Sequence, residues 1–272
     1  MKHLLLTLDL EEFVCPAEIG MKIKKERLFE VSREGLKNVM PIIDKHNIKA
    51  TFFTTYEFAL LNKDILSKLV SKGHEIALHG LYHNTSINNM NEKALFNELH
   101  KAKSRTEKLL NIKIKGFRSP QMRKVKYGVL ESIGILYDSS MHPTFVPGNN
   151  NLFKTRNIHK VKNITVIPVS VTPIFRLPFS WVWFRNLGLF YSKICTRFCL
   201  IDKDYINIYF HPWDFYNTNT SEFRGVRYVS LRNAGDKAVR KLEEYCKWCN
   251  KIGLQSSTIS EYLSEKRFIK IR

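Results

Sequence analysis

The stretch His74-Glu75-Ile76-Ala77-Leu78-His79-Gly80-Leu81-Tyr82-His83 decides how the rest of the chain is read. Its apolar run carries His79 to the end of a predicted strand. Gly80 follows, and His83 comes four residues after His79. Two imidazoles at that spacing reach one metal ion from a strand end and the turn behind it, and neutral imidazole is a common ligand for zinc-like metals. Nine histidines in 272 residues also give such a pair by chance, so what surrounds it carries the weight.

Working outward, apolar runs predict strands over 3–8, 49–55, 74–79, 115–118, 135–138, 165–171, 205–210 and 255–259. Pro168 marks the sixth as an edge or a bulge. Helical spacing predicts helices over 30–47, where Pro41 is expected to kink or divide the run, then over 62–72 and 91–110. Asn91 caps the last of these, and further helices follow over 123–133, 233–252 and 260–265. Strands alternating with helices mean crossover units and a largely parallel sheet, open or closed into a barrel. No repeat or low-complexity linker divides residues 1–272, so a single domain is expected. Ionisable residues cluster at the predicted strand ends: Asp9 and Glu11, His79 and His83, Arg118, Asp138, and His211. In parallel α/β proteins that edge is where sites are built.

Composition narrows the class. The 44 Lys and Arg against 25 Asp and Glu give a net charge of +19, scattered along the chain, which favours anionic partners. No zinc-finger, basic-zipper or RNA-recognition pattern accompanies the charge, so nucleic acid is not expected as a partner. Five cysteines, an odd number in a large chain, argue against a disulfide framework. Cys195, Cys199, Cys246 and Cys249 read as buried thiols, with a four-thiol zinc site as the alternative. The first apolar run is short and ends in an acid, and no run reaches the roughly 18–20 apolar residues of a spanning helix. A cytoplasmic protein is expected. Residues 181–191 mix aromatics with Arg185, and read either as core or as an amphipathic segment resting on an anionic membrane.

Asp9 and Glu11, two apart in extended chain, share a side and can approach one pocket. Two histidines and one carboxylate hold a divalent metal and leave room for water and substrate, while the second carboxylate takes a proton from that water. Glu12 competes with either acid for either role.

Thr7-Leu8-Asp9-Leu10-Glu11 resembles the first motif of the polysaccharide deacetylases with a NodB-homology domain, carbohydrate esterase family four. His79-Gly80-Leu81-Tyr82-His83 resembles the second, Arg118-Ser119-Pro120 the third and Tyr209-Phe210-His211 the last. The likeness covers about residues 3–263 and is closest to a branch associated with bacterial surface-glycan synthesis. It implies a distorted (β/α) barrel, often of seven parallel strands. It also implies metal-dependent removal of an N-acyl group, acetyl above all, from an amino sugar of a glycan or its polyprenyl-phosphate-linked precursor. Carried over by position, Asp9 is the base, Glu11, His79 and His83 hold one divalent ion, and Arg118 orients Asp9. His211 is the acid that protonates the departing amine. Zinc is the expected ion, although a mixed histidine and carboxylate set also suits other first-row metals.

Three positions depart from the family pattern. Glu11 stands where many members have Asp, Met122 stands where Gly is usual, and the acid that pairs with His211 has no evident place. Asp138 is the first candidate for that acid and Asp214 the second. Two other readings stand beside the deacetylase: a hydrolase of another carbon–nitrogen bond on the same scaffold, and a noncatalytic anion-binding module.

Overall fold

The computed structural model describes residues 1–83, 86–146 and 149–270. The chain forms two compact units, residues 1–50 with 172–257 and residues 51–171 with 258–272. Each is assembled from separated stretches, which is why no linker between them is visible in the sequence. The strands are β1 (His3–Leu10), β2 (Ala50–Thr55), β3 (Glu75–Gly80), β4 (Gly116–Phe117), β5 (Tyr137–Asp138), β6 (Phe145–Val146), β7 (Asn149–Asn150), β8 (His159–Val161), β9 (Ile164–Val166), β10 (Tyr205–Phe210) and β11 (Gln255–Ser256).

In the first unit, β1 runs parallel to β10 from His3 opposite Tyr205 to Leu8 opposite Phe210, and its first residues also pair with β11. Every residue of β1 and of β10 is buried, as a strand packed on both faces requires. The helix Lys25–Lys45 packs against the turn that follows β10, burying Leu28, Val31, Leu36, Val39 and Ile43 at helical spacing. Pro41 lies near the end of this helix without dividing it. Phe13, just past β1, packs on Trp213 and edge-on against Phe223, with ring centroids 5.6 and 5.1 Å apart. That cluster ties the acidic loop after β1 to the turn after β10.

In the second unit, β2, β3, β4, β5 and β9 pair in parallel, in that order, and β8 ends the run antiparallel to β9. The helix Glu92–Leu110 covers this run with Leu95, Leu99 and Ala102, which join Leu78 and Phe117 in one core. The Asn91 side chain caps it, accepting the Ala94 N–H at 2.9 Å. Strand β3 is anchored at its start by buried Glu75, whose carboxylate accepts from the Thr51 and Tyr137 hydroxyls, each at 2.9 Å, and from the Ser260 N–H at 3.0 Å.

The fold is the expected mixed α/β class with a parallel sheet, but among the described residues neither run of strands closes on itself, so the expected barrel is not completed. The strand predicted over 165–171 stops at Val166, because Pro168 has no N–H to give. The flanking groups still bond irregularly: the Ile167 N–H donates to Asp138 and the Val169 N–H to Met141. The edge strand β8 was not predicted; it is polar and partly exposed, and so lacks the apolar run that marks a buried strand.

Gly35 is where the long helix meets the turn after β10. A Cβ there would lie 1.9 Å from the Pro212 carbonyl oxygen. Gly35→Ala gains up to ~1 kcal/mol of helix propensity. It forces a shift of packed backbone costing about 1–3 kcal/mol. Net destabilisation in urea unfolding is expected, and an unchanged or raised midpoint would contradict the contact.

Candidate active site

Asp9 is the penultimate residue of β1 and Glu11 the first beyond it. Their exposures are 3% and 1%, whereas Glu12 is half-buried. Of the two rivals for a ligand role, Glu11 is therefore the one enclosed by protein.

His211 directly follows β10. Its ring stacks on Trp213, with centroids 4.3 Å apart and planes within 9°, and meets Trp181 edge-on at 4.9 Å. Its Nε2 is 3.9 Å from Glu11 Oε1, and its Nδ1 is 3.9 Å from Asp214 Oδ2. Both distances are beyond hydrogen-bond reach. Asp214 instead accepts the His211 backbone N–H at 2.9 Å and faces Arg185 Nε at 2.8 Å, with both side chains fully enclosed. Burial pushes the Asp214 carboxyl up to about 6, against the pull of Arg185, the His211 N–H and the Trp181 side chain. Arg185 is itself held by the carbonyls of Arg232 and Ser230, each at 2.9 Å.

In the second unit, His79 Nδ1 lies 2.7 Å from the Arg118 carbonyl oxygen. A carbonyl only accepts, so Nδ1 carries the proton and Nε2 of the neutral ring offers its lone pair. The His83 ring sits 6.1 Å away, centroid to centroid. Gly80 makes the turn between them at φ +112, a conformation other residues rarely take.

Arg118 is fully buried. Its guanidinium donates from Nε to the Ser139 carbonyl at 3.1 Å and from Nη2 to the Ser139 hydroxyl at 3.0 Å, and lies 4.2 Å from the Phe53 ring centroid. Asp138 accepts from the Ser140 hydroxyl, from the Ser140 N–H at 3.2 Å and from the Tyr127 hydroxyl at 3.3 Å. Burial raises its carboxyl to about 6, although Ser140, Tyr127 and Arg118 pull it down.

The structure thus gives Asp138 and Asp214 different company. Asp214 was readable through its place three residues after His211, a spacing that returns a side chain to the backbone of its own turn. The aromatic walls, Trp181 and Trp213, were not singled out as site residues. Trp213 could have been, as a neighbour of His211, whereas Trp181 is thirty positions away and gave no signal. Met122 has φ 52, the left-handed region where glycine is unstrained, so the departure from Gly at this position keeps a glycine-like backbone. All five cysteines are buried free thiols, and none belongs to a metal-ligand group among the described residues.

Residues 29–130 match the family model described as polysaccharide deacetylase. The match contains His79, His83 and Arg118. An uncharacterised protein of Bacillus subtilis (strain 168), YlxY, is 30% identical over 87 residues, which span 32% of this chain and 27% of that relative. Among solved structures, the probable polysaccharide deacetylase of Pseudomonas aeruginosa PAO1 aligns with a TM-score of 0.64 at 16% identity, covering 98% of this chain and 92% of that one. The Puue allantoinase aligns with a TM-score of 0.65 at 14% identity over the same shares. A CE4 family pseudoenzyme from Bacillus anthracis aligns at 0.55 and 14% identity, covering 96% of this chain and 65% of the other. The fold is that of the polysaccharide deacetylases and their relatives, and the chain carries the segment that the family model describes.

The raised carboxyl of Asp138 sets a pH dependence. The unfolded group ionises near its ordinary 3.8, and the folded group only near 6, so the unfolded state releases its proton first. Stability falls as pH rises between those values, by up to ~1.4 kcal/mol per pH unit from one such group. Asp138→Asn is expected to flatten that part of the curve in denaturant titrations at pH 4 to 6.5. An identical slope in both proteins would contradict it.

Proposed function

We propose that the whole chain acts as one deacetylase domain, a metal-dependent hydrolase that removes an N-acyl group, most simply acetyl, from an amino sugar of a bacterial glycan or its lipid-linked precursor. The observation that carries this reading is the His79 imidazole, whose Nδ1 is held by the Arg118 carbonyl so that Nε2 is the nitrogen that carries the lone pair, with His83 beside it. Buried Glu11 supplies the carboxylate of the set, and each of the three offers one ligand atom. One carboxylate and two neutral imidazoles suit zinc and other first-row divalent ions. Such an ion, when bound, polarises the acyl carbonyl and acidifies water.

The remaining roles belong to the chain's own groups. Asp9, enclosed at the end of β1, takes the proton of the attacking water. His211 returns a proton to the departing amine nitrogen, and the stack on Trp213 and the edge of Trp181 limit how its ring can turn. Asp214 holds the His211 main chain in place and is its acidic neighbour within hydrogen-bond distance of the backbone. Arg118 positions Asp9 and, through its carbonyl, fixes His79. Asp138, which accepts from Ser140 and Tyr127, is the other candidate for the acid that serves His211.

A second reading, hydrolysis of a cyclic amide or ureide, draws on the likeness to an allantoinase. A noncatalytic role draws on the pseudoenzyme neighbour. The test is acetate release from N-acetylated amino-sugar oligomers and polyprenyl-linked saccharides, beside ring opening of cyclic ureides, with metal-reconstituted protein. Acetate release that falls about 10²–10⁴-fold in Asp9→Asn and in His211→Ala, each still folded, is expected. Ring opening without acetate release favours the second reading. No turnover of either class contradicts the hydrolase.

A further inference from the structure

The helix Trp181–Asp202 buries Phe184, Cys195, Thr196 and Cys199 on one side. Its other side exposes Trp183, Leu187, Phe190, Ile194, Phe198 and Ile201, at 42, 51, 78, 36, 50 and 76%. Gly188, at φ 87 and ψ 170, breaks the helix between Leu187 and Phe190. Beyond the break, Phe190, Ile194, Phe198 and Ile201 follow at spacings of four, four and three residues and draw one apolar stripe facing solvent, and Trp183 and Leu187 lie exposed before it. Single exposed apolar residues are ordinary, whereas several large ones on adjoining turns mark a surface that another phase covers.

A second feature of the same unit extends it. Residues 172–177 form a finger pinched at its base, where the Thr172 N–H donates to the Leu177 carbonyl at 3.1 Å and the Leu177 N–H to the Thr172 hydroxyl at 3.0 Å. Its tip presents Ile174 and Phe175, 86 and 77% exposed. Ile174, a β-branched residue, has φ 42, which is strained, and Arg176 has φ 54, so the backbone holds apolar side chains outward at a cost. The short helix Tyr228–Leu231 adds exposed Tyr228 and Val229, and the Val229 carbonyl accepts from Asn186 on the long helix at 2.9 Å.

Charge selects the occupant. From Ile174 to Ile201 the chain has no Asp or Glu, and besides Arg185, which is enclosed with Asp214, it carries Arg176, Lys193 and Arg197. Exposed Arg224 and Arg227 lie next to Tyr228. A second copy of a chain of net charge +19 would bring like charges together, whereas an anionic bilayer takes both the apolar stripe and its basic flanks. No helix among the described residues is long and apolar enough to cross a membrane, so the contact lies in the interface plane.

We propose that this face of the first unit docks on an anionic lipid bilayer, with the finger and the exposed stripe entering the headgroup boundary. Trp181, the first residue of the helix, touches His211, so docking brings that histidine's end of the unit toward lipid-borne material. The inference stands on the exposed face and not on the deacetylase reading.

The test is flotation of the full-length protein with vesicles of phosphatidylcholine and phosphatidylglycerol, and with phosphatidylcholine alone, at low and high salt. Wild type is expected to float with the anionic vesicles, and Phe190→Ser/Phe198→Ser to bind about tenfold or more weakly. Circular dichroism and thermal midpoint of this exposed-site variant should match wild type, and Leu60→Ser, on an exposed residue of the other unit, should bind like wild type. Wild type that stays unbound in every condition overturns the proposal. So does binding that the double variant retains, or a self-association in ultracentrifugation that the double variant abolishes while vesicle binding is absent.

Discussion

The hydrogen bond from His79 Nδ1 to the Arg118 carbonyl, at 2.7 Å, is the constraint on which the site depends. Its acceptor is main chain, placed by the pairing of β3 with β4, where Leu78 lies opposite Phe117 and the Arg118 N–H donates to the Leu78 carbonyl. Sheet register therefore fixes the tautomer of an imidazole, and the tautomer fixes which nitrogen can ligate. The Arg118 side chain is locked in turn by Ser139 and by the face of Phe53. A shift of that strand would change the chemistry of His79 without touching the residue.

His211 is governed by a similar logic in different materials. Its backbone is held by Asp214, its ring by Trp213 and Trp181, and the whole turn by the approach of Gly35. Asp214 and Arg185 form a fully enclosed ion pair. A buried pair of this kind gives little net stability because desolvation opposes the attraction, and its use is to fix a geometry. Removing one partner is costly, since a lone buried charge would remain.

Much of this was legible in the sequence because the physics was local. The apolar runs of β1, β3 and β10 end in or next to the acids and histidines singled out as candidates, and Asn91 caps the helix it was expected to cap. What was not legible depended on contacts distant in sequence. Trp181 reaches His211 only because the helix that it begins packs against β10. The open strand runs could not be told from a barrel, since closure depends on pairing rather than on any one strand's composition. The acid beside the His211 backbone came second in the reading, behind Asp138, because both fit by residue type and only the fold separates their neighbours. The segment from Trp181 onward was read as core or as an amphipathic segment resting on a membrane; one side buries Phe184 and two cysteines, as core does, while the other exposes apolar side chains.

The central claim is that Glu11, His79 and His83 hold one divalent ion. Metal content of purified wild type, His79→Ala and His83→Ala, by elemental analysis with folding checked in each, tests it most directly. The account predicts about one equivalent in wild type and loss in both variants, as a site with three protein ligands cannot spare one. Wild type that holds no metal after reconstitution with zinc, cobalt, nickel or manganese would contradict it, as would full occupancy in either variant.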